Sequence, residues 1–278
     1  MFINTIDPVL LTIGQFEIRY YGIVISLGIL FTLIVAQHIG NQRDIKKDTF
    51  IDLVIWISIG SLIFSRAFEI FIYHPAYYLA DPIKMLMIHN GGLSFHGGLT
   101  GGFLATLLFS KKRKIPLLDL TDILILPISL GLAFGRLANF TNHELYGKIT
   151  DLPWAVKFAT AEGYRHPTQI YEAIKNLAIF TVLLSINKRY DKHKKGTITF
   201  AFLGLYGSIR FLIEFLKDMP QHYGLTTGQW LCIPMILISA AFFAQTIKQK
   251  RTKEQPDKKS LTKKQQNKKQ QSNNITTK

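Results

Sequence analysis

The chain contains one cysteine, Cys232, among 278 residues. A lone cysteine excludes an internal disulfide framework and a thiolate metal site. It lies inside an apolar run, where a buried, inert thiol is expected. Charge is scarce as well: 18% of residues are charged, against about 25% in soluble globular proteins. It is absent altogether from Tyr20 to Ile39 and from Leu225 to Ile247. Each stretch matches the roughly 20 residues that cross a hydrocarbon core. Such clustering excludes a soluble enzyme and, for most of the chain, intrinsic disorder. Also missing are a nucleophile elbow, a phosphate-cradling glycine loop and a dinucleotide fingerprint. No basic residue precedes Arg19, and there is no small-residue cleavage motif, so the first apolar segment is expected to be retained. No internal repeat is visible, which removes the usual pointer to an inverted-repeat transporter.

What is present is hydrophobic: 48% of residues are apolar and 12% aromatic. Mean hydropathy is only +0.17 because the last residues are so polar. From Lys248 to Lys278 the tail carries 11 Lys/Arg and 2 Asp/Glu, leaving Met1–Ile247 with +6 of the chain's +15. This predicts a membrane domain over 1–247 and a basic, disordered cytoplasmic tail over 248–278. The tail is read as positive-inside charge, and nucleic acid is not expected as a partner.

Seven spans are predicted, near 18–40, 50–73, 93–110, 119–138, 170–187, 197–216 and 226–247. The expected class is all-α: a polytopic membrane protein with about seven transmembrane helices and ordered outer loops, since lipid leaves unpaired backbone groups without partners. Basic clusters follow the first, third, fifth and seventh spans, at Arg43–Lys47, Lys111–Lys114, Lys188–Lys195 and the tail. Positive-inside charge then places the N-terminus outside and the C-terminus in the cytoplasm. The outer connections 74–92 and 139–169 hold Gly, Pro, His and aromatic residues, and are expected to be ordered caps. The small-xxx-small pairs Gly97/Gly101, Gly98/Gly102 and Gly131/Gly135 are read as helix-packing sites.

Ionisable residues inside a membrane suggest function. They gather here near the outer ends of the spans. Arg136 ends the fourth span, and Asn139 shares its face if the helix continues. Asn142-His143-Glu144 follows. Tyr206, Arg210 and Glu214 line one face of the sixth span. His96 begins the third, within Phe95-His96-Gly97-Gly98, and Arg165–Glu172 opens the fifth. Simpler readings stand beside these: Arg210 with Glu214, and Arg66 with Glu69, as structural ion pairs, and His96 as a packed histidine. His143, His166 and His222 are weak candidates whose spacing matches no zinc site. Two intramembrane arginines with amides and a histidine suggest an anion site, because the guanidinium fork suits phosphate and stays charged in apolar surroundings. An anion site open to lipid points to a phospholipid headgroup. The physics leaves open a lipid-handling enzyme, a flippase that ferries headgroups, or a lipid-binding scaffold.

The segments Phe95–Gly98, Gly135–Gly147 (GRLANFTNHELYG), Arg165–Glu172 (RHPTQIYE), Tyr206–Phe215 (YGSIRFLIEF) and Tyr20-Tyr21-Gly22 resemble the prolipoprotein diacylglyceryl transferase family, in order and spacing, over about residues 7–247. Family members commonly have Gly where this chain has Ala138 and His143. The resemblance implies transfer of the diacylglyceryl group of phosphatidylglycerol to the lipobox cysteine of a preprolipoprotein signal peptide, in the bacterial plasma (inner) membrane. A thioether forms and glycerol phosphate leaves, with no cofactor and no metal. The implied catalytic residues are His96 as base and Arg136 and Arg210 at the phosphate. Glu214 orients Arg210. Asn139, Glu144, Tyr21 and Tyr206 position the headgroup, and membrane lipids surround the whole.

Overall fold

The computed structural model describes residues 1–14, 16–43, 45–87, 91–189 and 194–254. Its long helices are α1 (Tyr20–Asn41), α2 (Lys47–Phe68, extended by a π-turn over Glu69–Tyr73), α4 (Phe95–Arg113), α5 (Leu117–Thr141), α6 (Thr168–Asn187), α7 (Thr197–Ile213, followed by a 3-10 turn over Glu214–Leu216) and α8 (Thr227–Glu254). A short α3 (Pro75–Ala80) and a 3-10 turn (Pro82–Leu86) lie between α2 and α4. Among the described residues six helical stretches are long and apolar enough to cross a membrane. The seventh, α4, has 19 residues, but its glycines and its terminal Lys111, Lys112 and Arg113 dilute its hydropathy. The chain is thus an all-helical, multi-pass membrane protein. Helix α8 continues past 247 to Glu254; the rest of the expected tail, 255–278, lies outside the described residues.

The strongest pairings are α2 with α4, α5 with α6, α7 with α8 and α1 with α5. Phe50, Leu53, Phe109, Leu120, Ile123 and Ile198 form the centre of the apolar core. Close approach of α2 and α4 depends on small residues. A methyl group on Gly101 would fall 2.1 Å from the Gly60 carbonyl oxygen, and one on Gly97 would fall 2.3 Å from that of Phe64. The packing reading therefore holds for α4. It fails for Gly131 and Gly135, where an added Cβ would meet nothing within 4 Å: the same sequence pattern lies on a face of α5 that no neighbouring helix crosses. Arg66 is a second correction. Instead of pairing with Glu69, it turns into the outer connection and donates to the carbonyls of Lys84, Met85, Met87, Gly91 and Gly92 and to Tyr78 Oη. Glu69 meets His74 at 2.8 Å instead.

The strands are short and lie outside the bundle. A three-stranded sheet has the order β1 (Phe2–Ile3), β4 (Val156–Lys157), β5 (Tyr164–Arg165), with β1 parallel to β4 and β5 antiparallel to it. The hairpin of β2 (Val9–Ile13) and β3 (Phe16–Arg19) leads into α1, and that of β6 (Gln221–His222) and β7 (Leu225–Thr226) leads into α8. Asn4 Nδ2 donates to the Phe140 carbonyl at 2.8 Å. The start of the chain and the α5–α6 connection therefore share one end of the bundle. The basic connections share the other: Arg113 meets Asp52, Lys195 meets Asp119 at 2.6 Å, and Arg43 donates to Asn187 at 2.5 Å. At that end Asp122 is fully buried and accepts from the backbone N–H groups of Gly196 (2.7 Å) and Thr199 (2.8 Å), so a distant side chain caps α7.

The two ends differ in basic charge, which sets an expected orientation in the cell. In a Cys232→Ala background, a cysteine at 157 should react with an impermeant maleimide in intact cells, and one at 189 only after lysis. The opposite pattern rejects the orientation.

Candidate active site

Three helices, α5, α6 and α7, converge at the end that bears the β1–β4–β5 sheet. At the centre is Glu172, on the first turns of α6. Its Oε2 lies 2.5 Å from Lys175 Nζ and 3.9 Å from Arg136 Nε, and its Oε1 lies 2.8 Å from Lys217 Nζ. Lys217 also reaches Glu214 Oε2 at 3.0 Å, and Glu214 Oε2 lies 3.8 Å from Arg210 Nε. The expected Arg210–Glu214 pair exists, as one edge of a larger network. Tyr206 closes it: Arg210 Nη1 donates to its hydroxyl at 2.7 Å, and Lys175 Nζ sits 3.8 Å from the centre of its ring.

Burial decides how these charges behave. The side chains of Glu172 and Lys175 are each 1% exposed and those of Glu214 and Lys217 are 4% and 5% exposed. Unpaired, any of them would carry a desolvation cost of several kcal/mol. Each is paired, yet the sum is unequal: four cations against two carboxylates leave two positive charges. The arginines are the more open members, with side chains 16% (Arg136) and 24% (Arg210) exposed. Among the described residues the Arg136 guanidinium makes no hydrogen bond; its one ion pair is the 3.9 Å approach to Glu172. A membrane-helix arginine with all its donors unspent is arranged to receive an anion.

The loop after α5 forms the next wall. The helix does continue past Asn139, which donates to Glu144 Oε1 at 2.7 Å, while Asn142 approaches the same oxygen at 3.3 Å. His143 (φ 54°) and Leu145 (φ 59°) flank Glu144 in the left-handed region. Such strain, about 1–3 kcal/mol per residue, persists only where the surroundings over-determine the backbone. They do so here. His143 Nε2 donates to the Ile6 carbonyl at 2.7 Å, and Thr160 Oγ1 donates to the His143 carbonyl at 2.7 Å. From α6, Gln169 Nε2 donates to the Glu144 carbonyl at 2.6 Å and Thr168 Oγ1 to that of Leu145 at 2.8 Å. A glycine would take this conformation without strain; His143 instead ties the loop to the N-terminal segment. Gln169 Oε1 and Asn142 Oδ1 remain buried and without a hydrogen-bond partner among the described residues. Burial in the same loop pushes the His166 imidazole below its ordinary value, which keeps it neutral at pH 7.

The other expected site residues lie apart from this cluster. His96 is exposed at the start of α4; its Nδ1 is 2.8 Å from Tyr73 Oη, and no hydrogen bond or ion pair joins it to Arg136 or Arg210. Tyr21 is 40% exposed on the first turn of α1, with no hydrogen bond to the cluster. The sequence reading missed Lys175 and Lys217 as members. Lys175 carried a signal, a basic residue one turn from Glu172 in an apolar segment. Lys217 follows the end of α7 and gave none.

Fold and site together define a multi-pass membrane protein whose helix ends enclose an anion-deficient cluster of arginine, lysine and carboxylate. A model of the family described as prolipoprotein diacylglyceryl transferase matches residues 8–245. Proteins named phosphatidylglycerol–prolipoprotein diacylglyceryl transferase are similar to this chain. The one from Geobacter sulfurreducens is 34% identical, covering 88% of this chain and 97% of the relative. Those from Bordetella parapertussis (37%, covering 87% and 96%) and Ectopseudomonas mendocina (36%, covering 88% and 96%) are alike. The chain belongs to the prolipoprotein diacylglyceryl transferase family.

Gly228, at the start of α8, offers a test of the network. An added Cβ would fall 2.3 Å from Glu214 Oε1. The carboxylate ends a flexible side chain, so it would move while the helices stay in place. Gly228→Ala is expected to melt within a few degrees of wild type and to lose roughly tenfold in turnover. Unchanged turnover in that variant would remove Glu214 from the working site.

Proposed function

We propose that this protein transfers the diacylglyceryl group of phosphatidylglycerol to the lipobox cysteine of a preprolipoprotein signal peptide. The observation that carries the reading is the unspent guanidinium of Arg136 within a cluster of net charge +2, in a chain belonging to this transferase family. The peptide thiolate attacks the diacylglyceryl carbon bound to the phosphate ester. A C–S bond forms, the C–O bond breaks, and its electron pair leaves on the phosphate oxygen. The monoanionic diester becomes dianionic glycerol phosphate, and the thiol proton passes to a base. Arg136 and Arg210 hold the phosphate, where preorganised cations stabilise the charge that develops on leaving. Glu214 orients Arg210, and Tyr206 donates to the same headgroup. Asn139 and Glu144 hold the headgroup glycerol, and the unpartnered Gln169 Oε1 and Asn142 Oδ1 accept from its hydroxyls. Tyr21 lines the entry from lipid.

His96 is the base in this reading. The tautomer with its proton on Nδ1 donates to Tyr73 and leaves Nε2 to accept from the thiol. Positive-inside charge supports a reaction on the outer face of the bacterial plasma membrane, with the N-terminus outside and the C-terminus in the cytoplasm.

The test is purified protein with phosphatidylglycerol and a lipobox peptide. One diacylglyceryl mass should appear on the peptide, with stoichiometric glycerol phosphate. Movement of intact phosphatidylglycerol between leaflets, without peptide modification, would favour a flippase. Arg136→Lys and Arg210→Lys keep the charge and lose the fork. Each should slow turnover roughly tenfold or more, equivalent to about 1.4 kcal/mol of barrier; near-normal rates would remove that arginine from the phosphate.

Cys232 bears on the number of steps. It is 1% exposed in α8, and the acceptor brings its own thiol, so direct transfer in a ternary complex needs no enzyme nucleophile. Cys232→Ala should keep most activity, and enzyme given lipid without peptide should release no burst of glycerol phosphate. A burst of one per enzyme, with the lipid mass on the protein, would instead establish double displacement.

A further inference from the structure

Lys175 has no part in the mechanism above. It is 1% exposed, bound to Glu172 at 2.5 Å, and stacked 3.8 Å from the Tyr206 ring. A buried lysine on a membrane helix is costly, and an apolar residue there would spare that cost. Without Lys175 the cluster would still pair each carboxylate: Glu172 with Arg136 and Lys217, and Glu214 with Lys217 and Arg210. Charge arithmetic gives the lysine a purpose. In the ion-paired network at the phosphate, to which Glu144 at the glycerol end does not belong, Arg136, Arg210 and Lys217 against Glu172 and Glu214 sum to +1, which balances a phosphodiester. Lys175 raises the sum to +2, which balances a phosphate monoester dianion.

We infer that Lys175 is a positioning residue that sets the site's preference for a dianionic phosphate monoester over a monoanionic diester. This rests on the proposed transferase reading. Lys175 acts through Glu172 and Tyr206. By neutralising Glu172 from the buried side, it leaves Arg136 free to serve the phosphate. By standing on the Tyr206 ring, it helps hold the hydroxyl that Arg210 contacts. The second charge on the phosphate develops only as the C–O bond breaks. An interaction stronger at that stage than with bound lipid raises kcat rather than lowering KM. The same preference makes the product a competitive inhibitor.

Binding and turnover test this separately. Detergent-solubilised wild-type protein at pH 7.5, where a phosphate monoester is mostly dianionic, should bind glycerol 1-phosphate at least about tenfold more tightly than its methyl diester. Lys175→Gln keeps a hydrogen-bond donor for Glu172 and removes the charge. Its monoester preference should fall to within about twofold, its kcat should fall roughly tenfold, and its KM for phosphatidylglycerol should change less than about threefold. Lys175→Arg should restore the preference. Equal binding of the two probes by wild type overturns the inference, as does a preference retained by Lys175→Gln or a loss expressed wholly in KM. Where Lys175→Gln does not fold, Lys175→Arg decides, because loss of the preference with the charge kept is also contrary to it. The binding assay needs no peptide or turnover, so failure of the transferase reading shows as a wild type that lipidates no peptide, whatever the probes do.

Discussion

Glu172 presents a carboxylate, 1% exposed, at the end of a lipid-embedded bundle, and Arg136, Lys175 and Lys217 converge on it. Left alone there, the charge would be too costly to keep. Its three partners therefore constrain three elements at once: the end of α5, the start of α6 and the segment leaving α7. Lys217 passes the constraint to Glu214, and Glu214 passes it to Arg210. The arginines then owe their positions to a carboxylate that need not touch a ligand. Because the cations outnumber the carboxylates, the network keeps a net positive charge that an anion would balance.

Much of the architecture was legible in the sequence because lipid is a strict solvent. Seven apolar stretches and an alternation of basic connections follow from the cost of exposing backbone and charge to hydrocarbon. Observed helix limits fall within a few residues of the expected ones over the first six spans. The α8 end does not, since a helix can run on into water once its apolar part has crossed. The site was legible where motif and helix face coincide, as with Tyr206, Arg210 and Glu214. It was not where partners come from separate elements: nothing in the spacing joins Lys217 to Glu172, residues 45 apart.

Two local readings failed for a common reason. Arg66 and Glu69 sit three apart, which makes them the nearest charges in sequence, yet the guanidinium finds five backbone carbonyls of the outer connection. Those acceptors exist only once that connection has folded over α2. The glycines of α4 and α5 share one spacing, but only α4 meets another helix there. Spacing records what a residue can reach along its own helix, and the choice among options is made by tertiary packing.

The parallel pairing of β1 with β4 sets a condition on membrane insertion. Between Phe2 and Val156 the chain crosses the bilayer as α1, α2, α4 and α5, and residues 2–3 and 156–157 meet on one side only after an even number of crossings. Any single helix that fails to insert, or enters twice, sends Val156 to the opposite side and leaves the first strand without its neighbour. Asn4 and His143 then lose the contacts that tie the Glu144 turn to the start of the chain. Two residues of strand thus act as a parity check, and a miscounted topology is also an unassembled site.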